Sequence, residues 1–203
     1  MSDHSVFVID DDSAVRDALL RVLRGRGVRA RGFSSGTEFF AALPEDASAC
    51  VITDVQMPGM DGTEIVRRLA ELRGETWPVI VITGHADVSM AVQMMKNGIV
   101  DFIEKPFDPT RLVEVVKGCL ARLGELDARQ QARQQARVRL GRLTPRERQV
   151  FDALVAGASN KEMALNLKIS PRTVEIFRAK VMTKMQAPNL STLVRIGMRL
   201  GDA

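Results

Sequence analysis

The sequence predicts an α/β fold, a doubly wound parallel sheet of five strands, followed by a small all-α domain. Three observations carry that prediction. Over the first 120 residues, five short runs rich in Val and Ile alternate with longer segments of helical pattern. From residue 143 onward only helical patterns occur. The charge also changes along the chain: residues 1–120 carry 13 basic and 18 acidic side chains, a net of −5, whereas 121–142 and 143–203 carry +4 and +5. An acidic first part joined to a basic second part suggests two jobs, with a polyanion as partner for the second.

The expected strands are VFVI at 6–9, VRARGF at 28–33, CVITDV at 50–55, PVIVIT at 78–83 and DFIEK at 101–105. They are too short for ordinary helices, and continuous runs such as VIVIT suit parallel strands covered on both faces. The segments between them carry helix-start signals. Ser35 with Glu38, and Asp61 with Glu64, have capping-box spacing, and Asp108 precedes a proline at a first helical position. Asn97-Gly98 is a helix stop. Five strand–helix units in succession predict right-handed crossovers and helices on both faces of the sheet.

At 203 residues the chain suits one large or two small domains, and the change of pattern and charge along it favours two. We place them at 1–120 and 143–203, joined by 121–142, LARLGELDARQQARQQARVRLGRL with its flanks. That segment favours helix, but only Leu120, Leu123 and Leu126 form an apolar stripe. The reading is a solvated helical linker, since the apolar heptad positions are too few for a coiled coil. In the last part, Thr144-Pro145-Arg146-Glu147, Ser159 with Glu162, Ser170-Pro171 and Asn189 mark the starts of four helices, the last ending before Gly201.

No stretch approaches the roughly 18 apolar residues of a membrane span, and the N-terminus lacks the basic and apolar regions of an export signal. Cys50 and Cys119 read as buried free thiols rather than a disulfide or a metal site, which suits a cytoplasmic protein.

In an open parallel sheet, functional groups gather beyond the carboxyl ends of the strands. Asp10, Asp11 and Asp12 follow the first strand; Asp54, Thr83 and Lys105 end the third, fourth and fifth. Converging carboxylates are costly unless a cation neutralises them, and an all-oxygen set with room for water fits Mg²⁺. One carboxylate could then attack a phosphoryl donor, while lysine and metal charge offset the phosphoryl oxygens. Asp54 is the best nucleophile, the first-strand acids being better placed as metal ligands. Asp12 reads as a helix-start or solvated residue.

The acid pair, DVQMPGMDG at 54–62, TGH at 83–85 and KPF at 105–107 resemble a two-component receiver domain over about residues 4–120. The resemblance implies a flavodoxin-like fold with strand order 2-1-3-4-5 and phosphoryl transfer from a sensor histidine kinase to Asp54. It implies Mg²⁺ held by Asp11, Asp54 and the backbone carbonyl of Gln56, with Asp10 orienting the metal waters and Thr83 and Lys105 touching the phosphoryl group. The switch aromatic falls at Phe102, where many relatives have Tyr; without a hydroxyl it reports by packing alone. A pairing face on the fourth helix and fifth strand is also implied; Val88, Ala91, Met94 and Met95 are its apolar candidates, equally read as core residues, with Ala91 and Met95 as the outer members.

Segment 159–185 reads as helix, short turn, helix. At about 100° per residue, Val174, Val181 and Met185 share one face of the second helix, flanked by Phe177 and Met182. The opposite face carries Arg172, Glu175, Ile176, Ala179, Lys180 and Thr183. Such a face suits the solvated basic surface of a small bundle, or a helix-turn-helix unit, which places such a helix in the major groove of double-stranded DNA with Lys and Arg holding phosphates. LTPRERQV, GASNKEMA and ISPRTVEIFRAKVMTKM are similar to the LuxR-type helix-turn-helix, and both halves together resemble the FixJ-like class of response regulators. Lys161, Arg172, Thr173, Glu175, Ile176, Arg178, Ala179 and Lys180 are the expected DNA contacts. Phe177 stands where many relatives carry His or Tyr, so no polar contact is carried over there, and Arg178 is read as either a phosphate contact or an internal ion pair. The resemblance implies a homodimer on phosphorylation, with RNA polymerase a further candidate partner. Two other readings are a Mg²⁺-dependent phosphohydrolase acting through Asp54, and a constitutive DNA-binding protein whose first domain is only a scaffold.

Overall fold

The computed structural model describes residues 4–43, 48–73, 77–84 and 88–201, with the backbone alone for 88–91. His85 of the TGH motif lies outside the described residues, as do the side chains of Val88 and Ala91. The chain forms two compact units, Met1–Leu126 and Asp127–Ala203.

The first unit is a parallel five-stranded sheet in the order β2-β1-β3-β4-β5. Its strands are β1 Ser5–Ile9, β2 Ala30–Phe33, β3 Ala49–Thr53, β4 Val79–Thr83 and β5 Asp101–Glu104. Between and after them run α1 Ser13–Gly25, α2 Gly36–Ala41, α3 Gly62–Arg73, α4 Val88–Lys96 and α5 Pro109–Leu140. Strand residues alternate between two buried cores, as the period of two requires. Phe7, Ile9, Val51, Val79 and Val81 face Phe39 of α2, Ile65, Val66 and Leu69 of α3 and Met94 of α4. Val6, Val8, Cys50, Ile52, Ile80 and Ile82 face Leu19, Leu20 and Leu23 of α1 and Leu112, Val116 and Cys119 of α5. Both cysteines are free and buried, and they meet in that second core. A hydrogen bond between the thiols, together with burial, pushes Cys50 well up, and the same bond lowers Cys119.

Several expected boundaries shift for local reasons. β2 starts at Ala30, not 28, because Val28 N–H turns back to Leu23 O at 3.0 Å and closes α1. β3 ends at Thr53, leaving Asp54 as the first residue beyond the sheet. Ser35 caps α2, but Glu38 does not reach back to it; its carboxylate takes the Ser34 N–H and hydroxyl, both at 2.7 Å. Asp61 likewise accepts from Glu64 N at 2.8 Å, while the Glu64 carboxylate binds Arg67 and Arg68, which lower its pKa to about 2. α4 stops at Lys96, and Gly98 takes the left-handed backbone (φ 89°) that ends the turn.

α5 is continuous for 32 residues, and the division between the units falls inside it. The segment expected as a helical linker over 121–142 is helical as far as Leu140 and continues the helix begun at Pro109. Leu123 is buried with the first unit, and Ala136 is buried further along.

The second unit adds α6 Pro145–Val155, α7 Asn160–Leu167, α8 Pro171–Met185 and α9 Leu190–Gly201. Thr144 with Glu147 and Ser159 with Glu162 form complete capping boxes, and Ser170 caps α8 through Thr173 N. α9 runs one residue further than expected, to Gly201. Val150, Phe151, Leu154, Met163, Val174, Val181, Met185 and Leu193 fill the core. Gly197 permits the close crossing of α9 over α6, since a Cβ there would stand 2.3 Å from Val155 Cγ2.

A buried ion pair ties this unit together: Lys184 Nζ lies 2.6 Å from Glu147 Oε2, whose residue is 3% exposed. The Lys184 hydrogen bond, with the Thr144 N–H, holds the Glu147 carboxyl below its ordinary 4.5. A depressed carboxyl stabilises the fold fully above its unfolded pKa and loses that contribution as pH falls through the folded value. Lys184→Gln is therefore expected to lower the melting temperature of this unit at pH 7. Its deficit relative to the unmutated chain should shrink once Glu147 is protonated below pH 4.5, which thermal unfolding at both pH values checks.

Candidate functional site

The strand ends converge on one acidic site. Register places Ile9 beside Thr53, and Asp54 N donates to Ile9 O at 3.0 Å, so Asp10 and Asp54 leave adjacent strands side by side. On the other flank Lys105 N donates to Thr83 O at 2.9 Å. Lys105 Nζ bridges the two acids, 2.8 Å from Asp10 Oδ2 and 2.6 Å from Asp54 Oδ2. Asp11 completes a group in which one carboxylate oxygen from each of Asp10, Asp11 and Asp54 lies within 4.8 Å of the others.

The three acids differ in surroundings. Asp10 is buried and accepts Asp12 N–H at 2.9 Å; burial outweighs its hydrogen bond to Lys105 and raises its pKa. Asp54 is nearly buried and accepts Gln56 N–H at 3.2 Å. Asp11 is exposed. Burial draws Lys105 down, but its bonds to Asp10 and Asp54 prevail and hold the ammonium above its ordinary value. Asp12 is the N-cap of α1, accepting from Ala14 and Val15 N–H groups at 2.8 and 3.3 Å, and stands apart from the cluster as a helix-start residue.

The Asp54 backbone is held as tightly as its side chain. Thr53 Oγ1, fully buried, donates to Asp54 O at 2.9 Å, and Gly62 N donates to Val55 O at 2.9 Å. A Cβ on Gly62 would lie 2.2 Å from Asp54 O. Thr53 did not stand out in the sequence, where a strand Thr looks ordinary, and Gly62 appeared only as the last residue of the 54–62 motif, with no role of its own. Thr83 is buried at the end of β4, and Phe102 on β5 packs, partly buried, against the core shared by α2, α3 and α4.

In the second unit, α8 buries Val174, Val181 and Met185 and exposes Arg172, Glu175, Ile176, Ala179, Lys180 and Thr183. Lys161 on α7 is exposed too. Two expected contacts are engaged internally. The Thr173 hydroxyl lies 2.8 Å from Ser170 Oγ in the α8 cap. Arg178 Nη1 donates to Asn160 Oδ1, tying α8 to the first turn of α7, and this hydrogen bond to a neutral amide replaces the ion pair considered from sequence. Lys180 Nζ stands 5.9 Å from the Phe177 ring, a cation–π contact.

Residues 6–117 match the response regulator receiver domain family, and 141–196 match the luxR family of bacterial regulatory proteins. The transcriptional regulatory protein FixJ of Bradyrhizobium diazoefficiens is 44% identical over 97% of this chain and 95% of its own length. The chain belongs to the FixJ-like response regulators. FixJ of Rhizobium meliloti is 43% identical over 99% and 98% of the two chains. Among solved structures, the response regulator StyR covers 98% of this regulator and 100% of its own chain, with a TM-score of 0.81 at 31% identity. Full-length FixJ from B. japonicum covers 100% of both chains with a TM-score of 0.60 at 42% identity. This response regulator is accordingly a transcriptional regulator with a receiver and a LuxR-type DNA-binding domain, not a classical enzyme, and the phosphohydrolase reading falls away. Among the described residues, no helix is long and apolar enough to cross a membrane.

Proposed function

We propose that a sensor histidine kinase transfers a phosphoryl group to Asp54 with Mg²⁺ present, and that this drives dimerisation and sequence-specific DNA binding. The observation that carries the reading is the three-carboxylate cluster bridged by Lys105 at the strand ends of a receiver sheet. The donor set fits a hard divalent cation: three carboxylates, one of them exposed so that water could reach the ion. Asp11, Asp54 and the Gln56 carbonyl would hold Mg²⁺, with Asp10 orienting its waters. When bound, the ion would offset charge that accumulates between carboxylate and phosphoryl oxygens.

The chain's own groups do the rest. A carboxylate oxygen of Asp54 forms the O–P bond as the N–P bond to the kinase imidazole breaks, and the imidazole keeps the electron pair and takes up a proton. Lys105, already at 2.6 Å from Asp54, exchanges its carboxylate partner for a phosphoryl oxygen. Thr83 donates its hydroxyl to another. Its inward movement opens space into which Phe102, lacking a hydroxyl, repacks.

Dimerisation would use the α4–β5 face. Met95, expected as an outer member, is 47% exposed, Val92 is 50% and Val100 is 40%, whereas Met94 is core. Val92 is an addition the heptad-free pattern of VSMAVQMMK did not single out.

DNA reading is assigned to the exposed face of α8, with base contacts from Arg172, Glu175 and Ile176 and phosphate contacts from Lys161 and Lys180. Glu175→Ala is expected to change sequence preference, and Lys180→Gln to weaken binding to every duplex alike and make the salt dependence shallower by about 0.9 in log–log slope. Binding titrations against a pool of duplexes at several salt concentrations check both.

A further inference from the structure

The compact unit that contains α8 starts at Asp127, and so takes in the last turns of α5. Contacts hold that extension in place. Leu140 and Leu143 pack on the helical core, Arg139 Nη1 donates to Met185 O at 3.4 Å, and Lys184 Nζ donates to Arg142 O at 3.2 Å. Residues 139–142 therefore lie against the C-terminal turn of α8. The extension also changes the charge of the unit. Residues 127–203 hold fifteen Lys and Arg against six Asp and Glu, a net of +9, where 143–203 alone carry +5.

Much of that charge is spent internally: Lys184 on Glu147, Arg178 on Asn160, Arg139 on a main-chain carbonyl, Arg148 on Asp152. Arg137 and Arg142 are exposed, and among the described residues neither side chain enters an ion pair or hydrogen bond. The outward row of α8, from Arg172 through Lys180 to Thr183, leads toward the turn beside which Arg142 stands. In helix-turn-helix modules the bases are read from the early part of the recognition helix, and backbone phosphates are held by basic groups around it.

We propose that Arg137 and Arg142 contact DNA phosphates beyond the C-terminal end of α8, so that the end of α5 belongs to the DNA-binding surface. This rests on α8 being the helix that enters the groove. The competing role for the same arginines is to bind an acidic surface of the receiver and mask the DNA-binding unit; it predicts the opposite sign.

The test uses the full chain carrying Arg137→Gln and Arg142→Gln together. Its affinity is measured on a selected genomic duplex and on an unrelated one, across about 50 to 200 mM salt, before and after treatment with a small phosphodonor and Mg²⁺. Loss of two phosphate contacts makes the log–log slope shallower by about 1.8, so the variant sheds about 12-fold less affinity than the parent over that range. The change is equal on both duplexes. An unchanged slope overturns the inference, and so does a gain in affinity by the unphosphorylated variant, which would show masking. Lys180→Gln in parallel separates the premise: if it leaves the slope unchanged while the arginine pair shifts it, the α8 assignment fails and the arginine contact stands. If Lys180→Gln shifts the slope and the pair does not, only the arginine contact fails.

Discussion

Asp54→Asn is expected to abolish covalent labelling by a kinase or a small phosphodonor, with the fold intact. The substitution keeps the shape of the side chain and removes the nucleophilic oxygen. No neighbour replaces it well: Asp10 is buried with its carboxylate already accepting from Lys105 Nζ and Asp12 N–H, and Asp11 is exposed at the rim. Removing the metal with a chelator should likewise stop labelling of the parent chain, because the charge of three clustered carboxylates would otherwise repel the donor phosphate. Labelling is followed by intact mass, and the labelled residue by peptide mapping. Full labelling of Asp54→Asn at the parent rate would refute the nucleophile.

Gly62→Ala is expected to slow phosphorylation by about 100-fold while the protein stays folded. The three atoms nearest the new Cβ would all be main-chain, Asp54 O at 2.2 Å, Val55 Cα at 2.9 Å and Asp54 C at 3.0 Å, so side-chain rotation does not relieve the clash. The segment that carries the Asp54 carboxylate and the Gln56 carbonyl must move, and a displacement of about 1 Å at a reacting group costs on the order of 10²-fold. Overpacking of this kind costs about 1–3 kcal/mol, partly offset by the roughly 1 kcal/mol that Ala gains over Gly in a helix. Gly118→Ala is the control: within α5, a Cβ there meets nothing within 4 Å, so stability should rise by about 0.5–1 kcal/mol with phosphorylation unchanged. Rates from stopped-time labelling, with melting curves for each variant, check both.

The parts of the fold legible in the sequence were those written in short-range pattern. The alternation between Phe7 and Val8, the caps at Asp12, Ser35, Thr144, Ser159 and Ser170, and the buried stripe Val174–Val181–Met185 all follow from periods of two and 3.6 and from local hydrogen-bond chemistry. The acids of the site were legible because strand ends in such a sheet must share one edge. What was not legible depends on partners far along the chain. Glu147 looked like a capping residue, and it is one; nothing near it announced Lys184, 37 residues on. Asn160 and Arg178 meet across the turn of the helix-turn-helix, a contact fixed by the crossing of α7 and α8 rather than by spacing. The closeness of Gly62 to Asp54 is a steric fact with no sequence signal beyond the glycine itself. The helical character of 121–140 was legible in its Ala, Gln and Arg, whereas its continuity with the helix nucleated at Pro109 carried no signal of its own, since such residues simply propagate a helix already begun.

Under the proposed function, DNA binding is controlled from the acidic site. To move such a regulator from 1:99 to 99:1 between inactive and active forms takes about 5.5 kcal/mol of differential stabilisation. The measurement that tests it most directly is DNA affinity together with sedimentation of the full chain, before and after phosphorylation with a small donor and Mg²⁺, for the parent and for Asp54→Asn. The parent should pass from monomer to dimer with a parallel rise in affinity for its selected duplex, and Asp54→Asn should show neither change. A chain that is already a tight dimer and binds that duplex equally well in both states would contradict the account.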